Sequence, residues 1–275
     1  MLLTVFLFSI MNTGAKALTL QYPIIEIVWA RYLSQTLFTF LLFSPNLSSV
    51  IKTQRMSLHL FRSTLLFGAT FFMFAGFKYL SLVSTITIFQ TGPLIVVIFS
   101  LIFLNEKVGL KRWVSVIVGF CGTLLILKPG TEMFLIAGFL PIAAATCYAG
   151  YAVSTRHLGT KEDPRTNFFY TSLVGTFISS LILVPFFKPI LLSDIVFFAF
   201  LGLLGGLGHF SFVLALQKSE ASLLAPFTYF DLIFASCLGI IFFAEYPDLY
   251  VIVGAFIIVS AGIYAWHLEK KEIPK

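Results

Sequence analysis

Apolar residues run along this chain in long unbroken stretches rather than in the alternation of a half-buried strand. Residues 85–104 (TITIFQTGPLIVVIFSLIFL) and 168–187 carry no charge, and residues 221–243 carry a single acid. A helix of about 20 apolar residues matches the hydrocarbon thickness of a bilayer. In lipid each backbone group must be satisfied inside its own element, which leaves helices or a closed barrel, and barrel strands alternate. The pattern therefore predicts an all-α integral membrane protein. Its ten transmembrane helices fall over residues 2–20, 24–43, 61–80, 85–104, 110–128, 134–156, 165–187, 192–217, 221–243 and 248–268. Breakers such as Ser44-Pro45-Asn46, Lys128-Pro129-Gly130 and Asp163-Pro164 separate them. The longest gap, residues 44–60, is too short for a soluble domain.

Composition agrees. The chain is 59% hydrophobic and 11% charged, against about a quarter charged in soluble domains. The formal charge of +6 is then read through the loops. Thirteen basic residues fall on one side: Lys52, Arg55, Arg62, Lys107, Lys111, Arg112, Arg156, Lys161, Arg165, Lys218, Lys270, Lys271 and Lys275. Only Lys78, Lys128 and Lys188 fall on the other, with Lys16 and Arg31 inside spans. Basic loops stay in the cytoplasm, so both termini are expected there, in a bacterial-type cytoplasmic membrane. The hydrophobic run at Met1 lacks a basic leader region and is expected to remain as the first helix. Cys121, Cys147 and Cys237 lie in apolar runs without metal-ligand spacing and read as buried thiols.

The two halves echo each other. Residues 77–122 and 216–262 align through Glu106 with Glu245 and Gly122 with Gly262, an offset of 139–140. Five spans separate equivalent helices, so the second copy is inserted upside down. This predicts a 5+5 inverted repeat, residues 1–130 and 131–275, a device of secondary transporters.

Four segments resemble one family. They are EIVWAR at Glu26–Arg31, LNEK at Leu104–Lys107, LLAPFTYFD at Leu223–Asp231, and GGLGH at Gly205–His209 followed by Ala215. Together they are similar to the EamA branch of the drug/metabolite transporter superfamily over nearly the whole chain. The resemblance implies a ten-helix carrier with its substrate path between the halves. Members take up or export amino acids, nucleotide-like metabolites, riboflavin, S-adenosylmethionine and drugs. The segment before Asp231 resembles the S-adenosylmethionine carriers, and the Gly-His stretch resembles riboflavin-associated branches.

Charge at a helix centre costs about 2.5–3.5 kcal/mol on insertion scales, so each buried polar residue needs a reason. Asp231 reads as a contact for a substrate ammonium, a proton carrier or a structural hydrogen bond. Arg31 either pairs with Asp231 or snorkels to the headgroups. Five residues separate Glu26 from Arg31, which puts them on different faces. His209 is either a proton-coupling group or a packing residue. Asn12 and Lys16, four residues apart, share a face and line an entrance unless Lys16 snorkels. Gln90 and Thr91 precede Gly92-Pro93, where a mid-span proline opens a polar notch or merely a kink. Pro226 marks a second irregularity near the start of its helix. Tyr148, Tyr170 and Tyr229 either line a cavity or pack. Gly202 and Gly206 form a small-residue packing face. Glu106 and Glu245 read as structural or gating groups.

No catalytic cluster, metal motif or ATPase motif is visible, so a membrane-embedded enzyme is the weaker reading and no cofactor is expected. A channel would need a continuous polar stripe. The reading is a secondary-active carrier working by alternating access. Its expected partners are a small-molecule metabolite, the lipid bilayer and a coupling ion such as a proton. A homodimer is compatible and nucleic acid is excluded.

Overall fold

The computed structural model describes residues 1–104, 109–127, 137–158, 162–218 and 225–272. Its helices are α1 (Leu2–Leu18), α2 (Ile24–Phe43), α3 (Leu47–Val50), α4 (Met56–Tyr79), α5 (Leu82–Phe89), α6 (Gly92–Leu104), α7 (Leu110–Leu127), α8 (Phe139–Leu158), α9 (Pro164–Leu183), α10 (Ile195–Lys218), α11 (Phe230–Phe243) and α12 (Leu249–Glu272). The short α3 lies in the loop between the second and third spans. With α5 and α6 as two parts of one crossing, the described residues supply the ten expected spans.

Around an apolar core that includes Ile27, Leu82 and Ile86, the surface departs from that of a soluble protein. Leu41, Val196 and Phe256 are more than 70% exposed, while Glu26, Arg31 and Arg62 are under 5% exposed. Exposed leucine and phenylalanine on this scale, rimming buried charge, are stable only with lipid outside. Five described helices are apolar and long enough to cross a bilayer on length and composition alone, Met56–Tyr79 and Leu249–Leu268 among them. Helices such as α2 fall outside that group because they carry Glu26, Arg31 and Gln35 inward. The chain is a multi-pass membrane protein.

Three expectations change in detail. The fourth span is two helices, because α5 ends at Phe89 and α6 starts at Gly92. Pro93 sits at the second position of α6, where a missing N–H would have had no helical partner. The ninth span opens with a 3₁₀ turn, Ala225–Tyr229, before α11. Of the three free cysteines, Cys121 and Cys237 are exposed and Cys147 is half-buried, so they are not the buried thiols expected. A lipid-facing surface admits a thiol as readily as a core does.

Local chemistry sets several helix ends. Ser81 caps α5 by accepting the Ser84 N–H at 3.0 Å, a contact worth about 1 kcal/mol. Asp163 caps α9 by accepting the Arg165 N–H at 2.8 Å, with Pro164 at the first helical position. Helix α11 closes on Ala244 in the left-handed region, φ 52. The Glu245 N–H bonds the Gly239 carbonyl at 3.1 Å and the Ala244 N–H bonds that of Ile240 at 3.2 Å. This Schellman-type closure turns Glu245 back onto the bundle.

The helices pack in a pattern that survives exchange of the two halves. α4 packs on α8, and α10 on α1; α4 packs on α9, and α10 on α2; α6 packs on α8, and α11 on α1. Three further contacts, α2 with α9, α7 with α12 and α5 with α11, join helices of equal rank in each half. The α7–α12 crossing is close because glycines meet there. A Cβ on Gly122 would sit 3.0 Å from the Gly254 carbonyl oxygen, and one on Gly254 2.8 Å from that of Gly122.

Candidate functional site

A cavity of about 190 Å³ lies between the halves. Helix α1 lines it from Met1 to Asn12, α4 from Leu66 to Phe74, and α10 through His209 and Phe212. The α5–α6 break contributes Phe89, Gln90 and Pro93, α8 contributes Tyr148 and Tyr151, and the start of the ninth span contributes Thr228 and Asp231. The wall is mainly apolar, rich in aromatic and methionine side chains, with a few polar groups converging on it, the usual make-up of a small-molecule site.

The break between α5 and α6 makes the polar part of this wall. Gln90 ends α5, and its side-chain N–H donates to the Thr228 carbonyl at 2.8 Å, inside the 3₁₀ turn that opens the ninth span. The irregular parts of the two crossings thus meet at the cavity, where irregular backbone is tolerated. One residue into α11, Asp231 accepts a hydrogen bond from the Ser9 hydroxyl of α1.

Arg31 is 4% exposed and does not snorkel. Its Nη1 donates to Thr70 Oγ1 at 3.1 Å and its Nε to Met11 Sδ at 3.3 Å, and the guanidinium lies 4.7 Å from the Tyr32 ring centroid. Among the described residues no ion pair joins Arg31 to Asp231; the two face one cavity separately. The glycines of α10 explain how Arg31 fits. A Cβ on Gly205 would lie 3.3 Å from Arg31 Nε and 3.1 Å from Met11 Sδ. Gly202 and Gly206 face α2, and Gly208 faces Phe8 of α1. His209 lies among aromatic rings, with Phe168 at 5.6 Å and Phe212 at 6.1 Å between centroids.

Six of the eight expected path residues line the cavity: Asp231, Arg31, His209, Asn12, Gln90 and Tyr148. Gly92 stands just behind, with a Cβ position 3.5 Å from Tyr148 Cδ1. Lys16 and Tyr229 point elsewhere. Lys16 neither snorkels nor lines the cavity: it forms an ion pair with Glu245 and donates to the Leu80 carbonyl at 3.0 Å. Tyr229 rests its hydroxyl against Gly262 of α12. Tyr170 donates to the Ile51 carbonyl at 2.7 Å, away from the cavity. Glu26 and Arg31 do diverge, since Glu26 accepts from the Lys188 N–H at 3.4 Å. The Pro226 side chain and Glu106 lie outside the described residues.

Several contributors carried no sequence signal. Ser9, Thr70 and Met11 are ordinary span residues until folding sets them beside Asp231 and Arg31. Arg62, counted among the loop charges, is a buried residue of α4, 1% exposed. Its Nη2 donates to the Tyr151 hydroxyl at 3.0 Å, and Tyr151 lines the cavity.

The profile of the EamA-like transporter family matches the chain in two stretches, residues 1–128 and 135–265. The chain belongs to that family. Among curated EamA-type relatives, an S-adenosylmethionine uptake transporter of Rickettsia bellii is 29% identical over 228 residues, 82% of this chain and 78% of that protein. A riboflavin transporter of Vibrio cholerae is 27% identical over 272 residues, 96% of this chain and 91% of that protein. One solved crystal structure superposes with a TM-score of 0.70 at 16% identity, covering 98% of this chain and 96% of the other, which establishes the shared fold. The family is one of transporters, and these two relatives are named for small-metabolite transport.

Proposed function

We propose that this EamA protein is a secondary-active carrier that moves a small metabolite through the central cavity by alternating access. The observation that carries the reading is the Gln90–Thr228 contact between two irregular helices. An offset of 139 maps the α5–α6 break at 90–91 onto the 3₁₀-to-α junction at 229–230. Equivalent breaks meeting at one site are what an inverted repeat with a shared substrate site produces. The exchangeable packing of the two halves supports the same reading. Residues 1–130 and 131–275 are then the two repeats.

Alternating access also needs one closed end. Along α1 the cavity runs from Met1 to Asn12 and stops one turn short of Lys16, where Glu245 binds both Lys16 and the Leu82 N–H at 2.8 Å. That junction ties α1 and the α4–α5 turn to the α11–α12 turn, across the halves. With both termini cytoplasmic, as the loop charges imply, the cavity faces inward and the Lys16–Glu245 junction is the outer seal. The relatives' names make S-adenosylmethionine and riboflavin the first substrates to test.

Spin labels at Leu20 and Tyr246, 80% and 75% exposed, test the cycle in a variant with its three native cysteines replaced by alanine. The carrier reading expects two distance populations, one as in this structure and one longer, with Glu245→Gln enriching the longer. A single distance in both proteins, with and without candidate substrates, contradicts it.

A further inference from the structure

Among the described residues the cavity wall carries one carboxylate and one guanidinium, and no charged side chain neutralises either. Asp231 is held by the Ser9 hydroxyl. Arg31 is held by Thr70, Met11 and the Tyr32 ring. Among the described residues no opposite charge lies within ion-pair distance of either. The same fold does pair charges elsewhere, as Lys16 with Glu245 at the sealed end. Charges out of water are costly unless paired, and the cost falls only when an opposite charge arrives with good geometry. Two opposite, unneutralised charges on one wall are both satisfied by a ligand that brings both signs. A neutral ligand leaves both unmet, and a simple cation or anion leaves one.

The rest of the wall defines the body of that ligand. Phe8, Phe74, Phe89, Tyr148 and Phe212 give apolar and aromatic faces, and Asn12 and Gln90 add neutral polar contacts. Gly205 keeps the space that Arg31 needs, since any Cβ there would press on its Nε and on Met11.

We infer that the ligand class of this cavity is a zwitterion with an apolar or ring-bearing body, its carboxylate on Arg31 and its cationic centre on Asp231. The inference rests on the carrier reading only in calling the ligand a transported substrate.

Thermal stabilisation of the purified full chain reads binding directly, because a ligand that binds only the folded state raises its stability. Two zwitterions, S-adenosylmethionine and L-phenylalanine, are compared with their decarboxylated derivatives, with N-acetyl-L-phenylalanine, and with riboflavin as a neutral ring. At least one zwitterion is expected to stabilise the protein, and its decarboxylated derivative to bind at least ~30-fold more weakly, the usual penalty for leaving a buried charge unmet. Arg31→Gln should erase that discrimination while Arg31→Lys retains it. Asp231→Asn should instead erase the preference for a free amine over its acetylated form. The unliganded melting temperature of each variant reports whether it is folded.

The inference is overturned if neither zwitterion binds, if riboflavin binds as tightly as the better zwitterion, or if folded Arg31→Gln discriminates as wild type does. Binding of a zwitterion without transport would refute the carrier reading and leave the ligand class standing. Transport of a neutral solute alone would do the reverse.

Discussion

The side-chain amide of Gln90, at the end of α5, donates to the backbone carbonyl of Thr228, in the turn that opens the ninth crossing, at 2.8 Å. This bond ties the broken fourth crossing to the irregular start of the ninth at the wall of the cavity. Replacing Gln90 with leucine roughly keeps the volume and removes this donor to the Thr228 carbonyl. The stability loss should be about 1 kcal/mol, near the net worth of one hydrogen bond. Ligand affinity and transport should fall further than stability, because the bond sets the two irregular segments against each other. Melting temperature beside ligand titration separates the two effects.

Lys16 and Glu245 form the sealed end. Glu245→Gln removes the countercharge of Lys16, 9% exposed at its side chain, and leaves it neutral acceptors, the Leu80 carbonyl and the new amide oxygen. Glu245 itself is a quarter exposed, so solvent weakens the pair, and a loss of about 1–2 kcal/mol is expected. Lys16→Met with Glu245→Gln should recover part of that stability, since the uncompensated charge is gone. A cysteine at Asn12, a cavity residue 6% exposed, should become more accessible to an impermeant thiol reagent from the outer side in both variants if the junction is a seal, and a thiol-labelling rate measures it.

Ala244 holds a left-handed backbone at φ 52 to close α11. A non-glycine residue there costs roughly 1 kcal/mol. Ala244→Gly should therefore raise the melting temperature slightly or leave it unchanged, because relief of native-state strain opposes the added chain entropy of the unfolded state. The same change at an ordinary helix interior would lower it.

Asp163 accepts hydrogen bonds from the Arg165 side chain, at 2.7 Å from Nη2, and from its N–H, and the guanidinium hydrogen bond holds the carboxyl below its ordinary range. A depressed carboxyl contributes stability that is present above its unfolded value and lost as pH falls through the folded one. The melting-temperature gap between wild type and Asp163→Ala should thus be constant near neutrality and narrow below about pH 4. It should be small throughout, since both partners are more than a third exposed.

Much of the architecture was legible because lipid makes a simple demand: about 20 apolar residues per crossing. The same logic marked Asp231, Arg31, His209 and Asn12, which stand out against an apolar background and do line the cavity. Hydropathy could not show that residues 90–91 break a helix, because a window average over residues 85–104 is dominated by the apolar residues on either side. Nor could it show where Lys16 and Tyr229 point. Lys16 meets a partner 229 positions away in the chain. Tyr229 turns away from the cavity because Gly262 leaves room for its hydroxyl on α12. Such pairings depend on how helices cross, which local pattern does not encode.

Counterflow in proteoliposomes tests the central claim most directly. Vesicles holding the purified protein are loaded with an excess of unlabelled S-adenosylmethionine, riboflavin or L-phenylalanine and diluted into a trace of the labelled compound. A carrier that alternates access exchanges inner for outer solute, so label should accumulate transiently above its equilibrium level for at least one compound, and Asp231→Asn should abolish the overshoot. Simple equilibration without overshoot, or uptake equal to empty vesicles for all three, would contradict the account.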